Sequence, residues 1–240
     1  MKKTILILTL LCAATITQAQ VGIGTASPAS SSILELSSTT KGLLAPRMST
    51  SQRDGIASPV RGLQIYNTDN RAIETFTGAT GEWFTLGRGK GAISTNTAVG
   101  VQALHSNTSG NLNTANGYRA LYSNTAGHTN TATGYQTLYS NIGGAYNTAN
   151  GYRALKSNTN GDHNTAHGYH ALFSNTIGDG NTANGYRALI SNTIGHYNTA
   201  IGFSALQNAA ATAGTYNTVI GYQADVSSGG LTNATAIGNG

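Results

Sequence analysis

From Asn96 onward the chain repeats a 17-residue unit, N-T-A-x-G-Y-x-A-L-x-S-N-T-x-G-x-x, in which each position defines one column of the repeat. Short fixed periods are typical of arrays in which each unit buries its apolar face only against its neighbours. The repeat occupies about 60% of the 240 residues, so it decides the fold class. The copies begin, with a two-residue insertion before the eighth, at Asn96, Asn113, Asn130, Asn147, Asn164, Asn181, Asn198, Asn217 and Ala234.

The unit opposes a helix and favours short strands. Glycine in the fifth and fifteenth columns, with Asn-Thr in two other places, prevents a helix of useful length. Two strands of about five residues joined by turns fit the unit better. Stacked coils of this kind form parallel, in-register ladders about 4.8 Å apart, so nine copies would make a rod on the order of 40 Å long. We therefore predict an all-β fold, a parallel β-roll or β-solenoid of 17-residue coils.

The residue types in each column predict which side chains face inward. The third and eighth columns are almost always Ala, and the ninth is Leu from Leu104 to Leu206, so these are predicted core or interface columns. The sixth column is Tyr five times in succession, from Tyr118 to Tyr186, which suits a stacked aromatic ladder. The fourth, seventh, tenth, fourteenth, sixteenth and seventeenth columns vary between copies and are predicted to face solvent.

Two further sets of columns predict the corners of each coil. The glycines of the fifteenth column, from Gly110 to Gly195, are predicted to supply the positive φ of a tight corner. The Asn side chains of the first and twelfth columns can hydrogen-bond along the stack or close corners as Asx-turns.

A core lined by Ala and one Leu per coil is thin, and this predicts self-association. We expect that the Leu or the Tyr column does not belong to one chain alone. Three copies that place such a column on a common axis would bury surface that a monomer leaves exposed. The chain is therefore predicted to form a homotrimer.

The repeat also resembles a known family. The T-A-x-G pattern at coil spacing, and especially Asn217–Ala224 and Thr235–Asn239, is similar to the head repeat of trimeric autotransporter adhesins. The resemblance covers roughly residues 92–240 and implies a trimeric, left-handed parallel β-roll with one coil per repeat. Repeats in that family are usually shorter than 17 residues, so the corners must differ. The family's anchor, a coiled-coil stalk and membrane barrel, has no counterpart here.

Residues 1–19 are predicted to be a secretory signal peptide. Lys2 and Lys3 form the charged start, Ile5–Ile16 the apolar run, and Thr17–Ala19 a small-residue cleavage site. The apolar run is short for a membrane span, and the sequence has no other candidate span. A lipoprotein site at Cys12, the only cysteine, is the weaker alternative because bulky leucines precede it. The mature chain is expected to be exported without disulfides.

Residues 20–91 are predicted to form a small β module, followed by the repeat domain at residues 92–240. Ser49 with Gln52, or Ser51 with Asp54, can make a capping box, which predicts a short helix. The β-prone runs 63–67 and 72–77 predict a hairpin, and 82–86 predicts a third strand. Phe76 and Trp83 are the expected core of this meander. Gly87–Gly91 is expected to be a flexible joint.

The module resembles a segment of exported tail-fibre-like proteins of Bacteroidetes. The matching residues are Val21–Pro28, Leu34–Leu36, Gly42–Met48, Gln52–Ile56 and Gly62–Thr68. The resemblance covers about 65 residues and implies no chemistry.

The charge distribution argues against nucleic-acid binding. The chain has a net charge of +5, but the repeat itself is close to neutral. Residues 91–240 contain only four basic residues and three acidic ones, whereas a nucleic-acid surface requires a concentrated basic face. The basic residues are Arg119, Arg153, Lys156 and Arg187; the acidic ones are Asp162, Asp179 and Asp225.

The sequence predicts no catalytic, cofactor-binding or metal-binding residues. All six His lie in variable columns, which favours solvated side chains over a metal site at His163, His167 and His170. The eight carboxylates do not recur in register, and there is no nucleophile-elbow motif. We therefore predict that the chain is not an enzyme and has no cofactor.

These patterns predict a secreted, surface-exposed fibrous or adhesive protein, a trimeric β-roll head or shaft with a possible host-surface or glycan receptor. One alternative is the N-terminal fibre portion of a longer tail-fibre-like protein whose C-terminus is a self-cleaving intramolecular chaperone. Another is a carbohydrate-binding module in which sugars stack on the Tyr ladder.

Overall fold

The computed structural model divides the chain into two units, Met1–Leu44 and Ala45–Gly240. The predicted signal peptide, the predicted domain boundary at residues 91 and 92, and all of the predicted joint except Gly87 lie outside the described residues. The structure describes residues 21–27, 29, 32, 34–78, 83–87, 93, 95–207, 214–226 and 230–239.

The first unit contains one pair of short parallel strands. β1 (Val21–Ile23) pairs with β2 (Leu34–Leu36), so that Val21 lies opposite Leu34 and Ile23 opposite Leu36. These four apolar side chains are 44–61% exposed. The pair therefore leaves apolar surface uncovered within one chain.

The second unit begins with a short helix and a small sheet. β3 (Arg47–Met48) pairs in parallel with β4 (Gln64–Asn67), and β4, β5 (Ala72–Phe76) and β6 (Trp83–Gly87) form an antiparallel meander. The predicted hairpin and third strand are confirmed. The short helix is also confirmed as α1 (Thr50–Asp54), with the capping box between Ser49 and Gln52.

A buried carboxylate holds the helix against the meander. Glu74 is 0% exposed and accepts hydrogen bonds from Arg53 Nη1 at 2.8 Å, Asn67 Nδ2 at 3.0 Å and Asn70 Nδ2 at 2.7 Å. The predicted aromatic core is only partly present. Phe76 is buried, but Trp83, with its ring 5.4 Å away, stays partly exposed.

The meander and the repeat share one sheet. β6 pairs antiparallel with β7 (Thr97–Val101), and from β7 onward every pairing is parallel and in register, so that each residue lies opposite its counterpart in the next coil. The parallel β-solenoid predicted from the repeat is confirmed. The remaining strands are β8 (Thr114–Asn116), β9 (Thr131–Thr133), β10 (Thr148–Asn150), β11 (Thr165–His167), β12 (Thr182–Asn184), β13 (Thr199–Ile201), β14 (Thr218–Ile220) and β15 (Thr235–Ile237).

The prediction of two five-residue strands per coil is wrong. From β8 onward the described residues of each coil contain one strand of three residues, spanning the second to fourth columns. The rest of the coil is turn-like, but its N–H groups still donate to neighbouring coils. For example, Leu121 N donates to Thr137 O at 3.0 Å and Ser123 N to Tyr139 O at 3.0 Å. Backbone hydrogen bonding between coils therefore does not require strand geometry.

The solenoid core is built from the third, eighth and ninth columns, as predicted. Their Ala and Leu side chains from Ala98 to Leu206 are almost all 0% exposed. The Leu column is buried inside its own chain, so the expectation that it could lie between chains is wrong. Its backbone adopts positive φ in each coil, such as 50° at Leu155, a conformation that is uncommon for residues other than glycine.

The fifteenth-column glycines do not have positive φ, contrary to the prediction. Glycine is required there for space. A Cβ added at Gly127 would collide with the carbonyl oxygen of Gly144 in the next coil and with Oδ1 of Asn124. The positive φ values occur in the fifth-column glycines, such as 134° at Gly151, and in non-glycine residues of the seventh, ninth and seventeenth columns.

Two ladders of buried Asn complete the interior. In the first column, Asn147 N donates to Oδ1 of Asn130 at 2.9 Å, and its Nδ2 donates to Gly161 O at 2.8 Å. In the twelfth column, Asn158 Nδ2 donates to Oδ1 of Asn141 at 2.8 Å and to Gly161 O at 3.0 Å. The Asn columns therefore bond along the stack and also close the corners.

Candidate functional site

The predicted surface columns are half-buried or exposed, with Ala145 and Ser204 as buried exceptions. In the described ranges, no three His, Cys, Asp or Glu side chains come close enough to hold a metal ion. The three His of the weaker metal alternative are engaged separately. His163 stacks on Tyr146 at 4.8 Å, His170 stacks on Tyr169 at 4.1 Å, and His167 lies on β11.

The sixth column forms a continuous aromatic ladder, as the sequence predicts. Neighbouring rings are nearly parallel, with centroids 5.0 Å apart between Tyr152 and Tyr169 and 5.1 Å between Tyr169 and Tyr186. Those three rings are 37–42% exposed. Because each ring face is covered by the next ring, the edges and hydroxyl groups are the parts that face solvent. The full ladder runs through Tyr118, Tyr135, Tyr152, Tyr169, Tyr186, Phe203 and Tyr222.

The seventh column beside this ladder carries most of the repeat's positive charge. Arg153 Nε donates to Oε1 of Gln136 at 3.0 Å, and its guanidinium lies 5.0 Å from the ring centroid of Tyr152. Arg119 Nε makes the same bond to Gln102 at 2.6 Å. In both cases the Arg lies one coil after a Gln, and its Nε is paired with the Gln carbonyl oxygen.

The pattern breaks where His170 precedes Arg187. The buried Nε atom of Arg187 has no hydrogen-bond partner, and neither has Nε2 of His170. Burial lowers the pKa of His170, and the positive charges of Arg153, Arg187 and Lys156 lower it further. The His170 ring also contacts Phe173, at 4.6 Å between centroids. We call Arg153, Lys156, His170 and Arg187 the basic strip.

The carboxylates of these coils lie in a different column from the residues of the basic strip, which belong to the seventh and tenth columns. Asp162 and Asp179 both belong to the sixteenth column, where Asp162 accepts from Ala145 N at 2.7 Å and Asp179 from Asp162 N at 2.8 Å. Asp179 Oδ2 also lies 3.4 Å from His196 Nδ1. Between residues 95 and 207 the sequence contains no other carboxylate. Opposite charges are therefore separated on the solenoid surface.

The outward side chains of the strands form a third surface, which we call the strand face. It comprises the second and fourth columns, and it contains no Asp, Glu, Lys or Arg. Thr occupies every position of the second column. In the last three coils the fourth column becomes apolar, with Ile201, Ile220 and Ile237 exposed by 39%, 37% and 74%.

A cleft of about 270 Å³ opens in the meander region. Its charged lining is already paired, because Arg53 bonds both Asp54 and Glu74. The Arg53 guanidinium also lies 5.7 Å from the ring centroid of Trp83. The charged residues of the cleft therefore hold the helix and the meander together, and they give no sign of a ligand site.

Residues 22–103 match the family model described as "Phage tail like trimerisation region". No curated protein and no solved structure matches the chain. Within the described parts of the chain, no helix is long and apolar enough to cross a membrane. The family match and the parallel β-solenoid together fit a tail-fibre-like repeat protein and support a fibrous structural role.

The basic strip was not predicted from the sequence. The signal was nevertheless present in the seventh column, which reads Gln, Arg, Gln, Arg, His, Arg over six coils. The third Arg has a His where each of the other two has a Gln. Variation between coils assigned that column to solvent and took no account of hydrogen bonds between its side chains in successive coils.

Proposed function

We propose that the protein is a secreted, surface-exposed homotrimeric fibre with an adhesive role and no catalytic activity of its own. The observation that carries the proposal is the match of residues 22–103 to a trimerisation region whose last strand, β7, starts the in-register solenoid. Three chains joined at β7 would enter their solenoids at the same level. The exposed apolar side chains of β1 and β2 offer further surface for burial between chains.

The strand face is the surface best suited to the trimer axis. A threefold axis brings three copies of each axial residue together, so a charged axial residue would face two like charges. The strand face has no charged side chain, whereas the seventh column carries Arg153 and Arg187 and the sixteenth carries Asp162 and Asp179. The exposed Ile220 would then gain apolar burial on assembly.

Light scattering on the size-fractionated protein tests the assembly. We expect a mass three times that of the monomer, and a stable monomer would overturn the trimer. Ile220→Asp places a charge on the strand face and is expected to weaken the trimer. Asn111→Asp is the matched control, because the sixteenth column already contains Asp in two other coils. Equal effects of the two substitutions would contradict the assignment of the strand face.

Export has its own test. The predicted signal peptide ends at Ala19. We expect mass spectrometry of the extracellular protein to find Gln20 at its N-terminus, and an intact N-terminus on a cell-retained protein would contradict secretion.

The phage tail-like match also favours a second candidate, the fibre portion of a longer tail-fibre-like protein. Gene sequence beyond codon 240 that encodes an intramolecular chaperone domain would favour this candidate over a free-standing adhesin.

A further inference from the structure

We propose that the basic strip binds the acidic groups of an anionic polysaccharide, chiefly through its seventh-column residues Arg153, His170 and Arg187. The inference rests on the proposed adhesive role and deepens it by naming the class of ligand. Four observations carry the inference: the unpartnered groups, the charge separation, the geometry of the Tyr ladder and the variation between coils.

The first observation is a pairing rule that this site breaks. Arg119 and Arg153 each satisfy Nε with a Gln one coil earlier, at 2.6 and 3.0 Å. Arg187 follows His170 instead, and Arg187 Nε and His170 Nε2 are both buried without a partner. Unsatisfied buried polar groups are rare in native proteins, and positions that break a local rule tend to be functional.

The second observation is unbalanced charge. Arg153, Lys156 and Arg187 lie close enough to His170 to disfavour its protonated form. The two carboxylates of the same coils, Asp162 and Asp179, are engaged with backbone N–H groups in the sixteenth column. An incoming carboxylate or sulfate would supply the missing negative charge. Guanidinium groups bind such planar or tetrahedral oxyanions through paired hydrogen bonds.

The third observation distinguishes a sugar from a nucleic acid. Bases bind single-strand surfaces by stacking on open aromatic faces. The faces of Tyr152, Tyr169 and Tyr186 cover one another, at 5.0 and 5.1 Å between centroids, so no such face is open between them. The exposed ring edges carry hydroxyl groups, one per coil, and each can donate and accept a hydrogen bond. A hydroxyl-rich chain that runs along the column fits this surface better than a stack of bases.

The fourth observation is that the feature is local. Other coils of the same column carry Gln102 and Gln136, each of which accepts a hydrogen bond from Nε of the Arg in the next coil. The site thus occupies about three coils within a longer solenoid, and the remaining coils provide controls within the same molecule.

Isothermal titration of the full chain tests the proposal with polygalacturonate, chondroitin sulfate, neutral dextran and single-stranded poly-dT as probes. We expect binding of one or both acidic polysaccharides that weakens with salt, and no binding of dextran. Polygalacturonate carries carboxylates only, whereas chondroitin sulfate carries both carboxylates and sulfates. Binding of polygalacturonate would therefore indicate that carboxylates suffice, and binding of chondroitin sulfate alone would indicate recognition of sulfate. Absence of binding to both at low salt, or stronger binding of poly-dT, would overturn the proposal.

Matched variants locate the site. Arg187→Gln introduces a residue that the column already uses, and it should weaken binding of the acidic polysaccharide about tenfold, as expected for the loss of a charge-assisted contact. Arg119→Gln removes the same charge from the same column away from His170 and should change the affinity less than about twofold. Equal losses in the two variants would indicate nonspecific charge attraction and would overturn the site.

The outcomes separate this inference from the trimer proposal. Light scattering on the same samples reports the assembly. If the protein is a trimer but binds neither polysaccharide, the fibre proposal stands and the binding site is wrong. If it is a monomer that binds, and only Arg187→Gln weakens binding, the binding site stands and the trimer is wrong.

Discussion

Arg153 Nε donates a hydrogen bond at 3.0 Å to Oε1 of Gln136, which lies 17 residues earlier in the chain and one coil away in space. Arg187 lies two coils further on and follows His170 in the column. Its Nε atom has no hydrogen-bond partner. Because both arginines occupy the same column beside a Tyr ladder, the chain contains its own controlled comparison of a paired and an unpaired Nε atom.

Replacing each of these arginines with Met should therefore have unequal effects on stability. Arg153→Met removes a hydrogen bond and a contact with Tyr152, and it should lower the free energy of unfolding by about 1 kcal/mol. Arg187→Met removes a donor that has no partner and should be neutral or stabilising. Denaturant unfolding of both variants measures the difference, and equal losses would contradict the assigned pairing.

His170 should make stability depend on pH. Burial and the nearby Arg153, Arg187 and Lys156 lower its pKa below the ordinary value of 6.5, while the Tyr152, Tyr169 and Phe173 rings pack against it. As the pH falls through 6.5, the unfolded chain gains a proton there before the folded chain does. Protonation therefore favours unfolding, and the penalty stops growing below the folded-state pKa.

The measurement is the midpoint of thermal unfolding between pH 7.5 and pH 5. His170→Gln should lose less stability than the wild type on acidification. Arg187→Met removes one repelling charge and should give an intermediate slope. A wild-type slope in His170→Gln would show that other groups cause the acid sensitivity.

The buried Asn ladder should contribute more to stability than its polar composition suggests. Asn158 is 0% exposed, donates to Asn141 and Gly161, and accepts from Nδ2 of Asn175 at 2.8 Å. Asn158→Ala leaves several buried groups without partners and should cost about 2–5 kcal/mol. The exposed Asn160, two residues away, is the control, and its Ala variant should stay within about 0.5 kcal/mol of the wild type.

Glu74 should be the most sensitive position of the meander region. Its removal in Glu74→Leu leaves Arg53, Asn67 and Asn70 without their shared acceptor and should cost about 3–5 kcal/mol. Asp54 also pairs with Arg53, but its side chain is 58% exposed, so Asp54→Ala should cost less than about 1 kcal/mol. Chemical denaturation compares them, and similar costs would contradict the importance of burial.

The solenoid could be predicted from the repeat alone, because in-register stacking converts a 17-residue period directly into contacts between equivalent residues. The pairing of Ala149 with Ala166, the Tyr152–Tyr169 stack and the two Asn ladders follow from this rule. The capping box at Ser49 could also be predicted from the sequence, because it depends on local spacing alone.

The role of each column could be read only from the packing of the coils in three dimensions. Leu155 is buried inside its own chain and has positive φ, neither of which a column of leucines reveals. Gly127 is glycine because another coil's carbonyl approaches it, and that proximity exists only after stacking. The unpaired nitrogens of His170 and Arg187 depend on which side chains reach across coils. The repeat period predicts which residues are neighbours in adjacent coils. Close packing determines whether the polar groups of those neighbours form hydrogen bonds with one another.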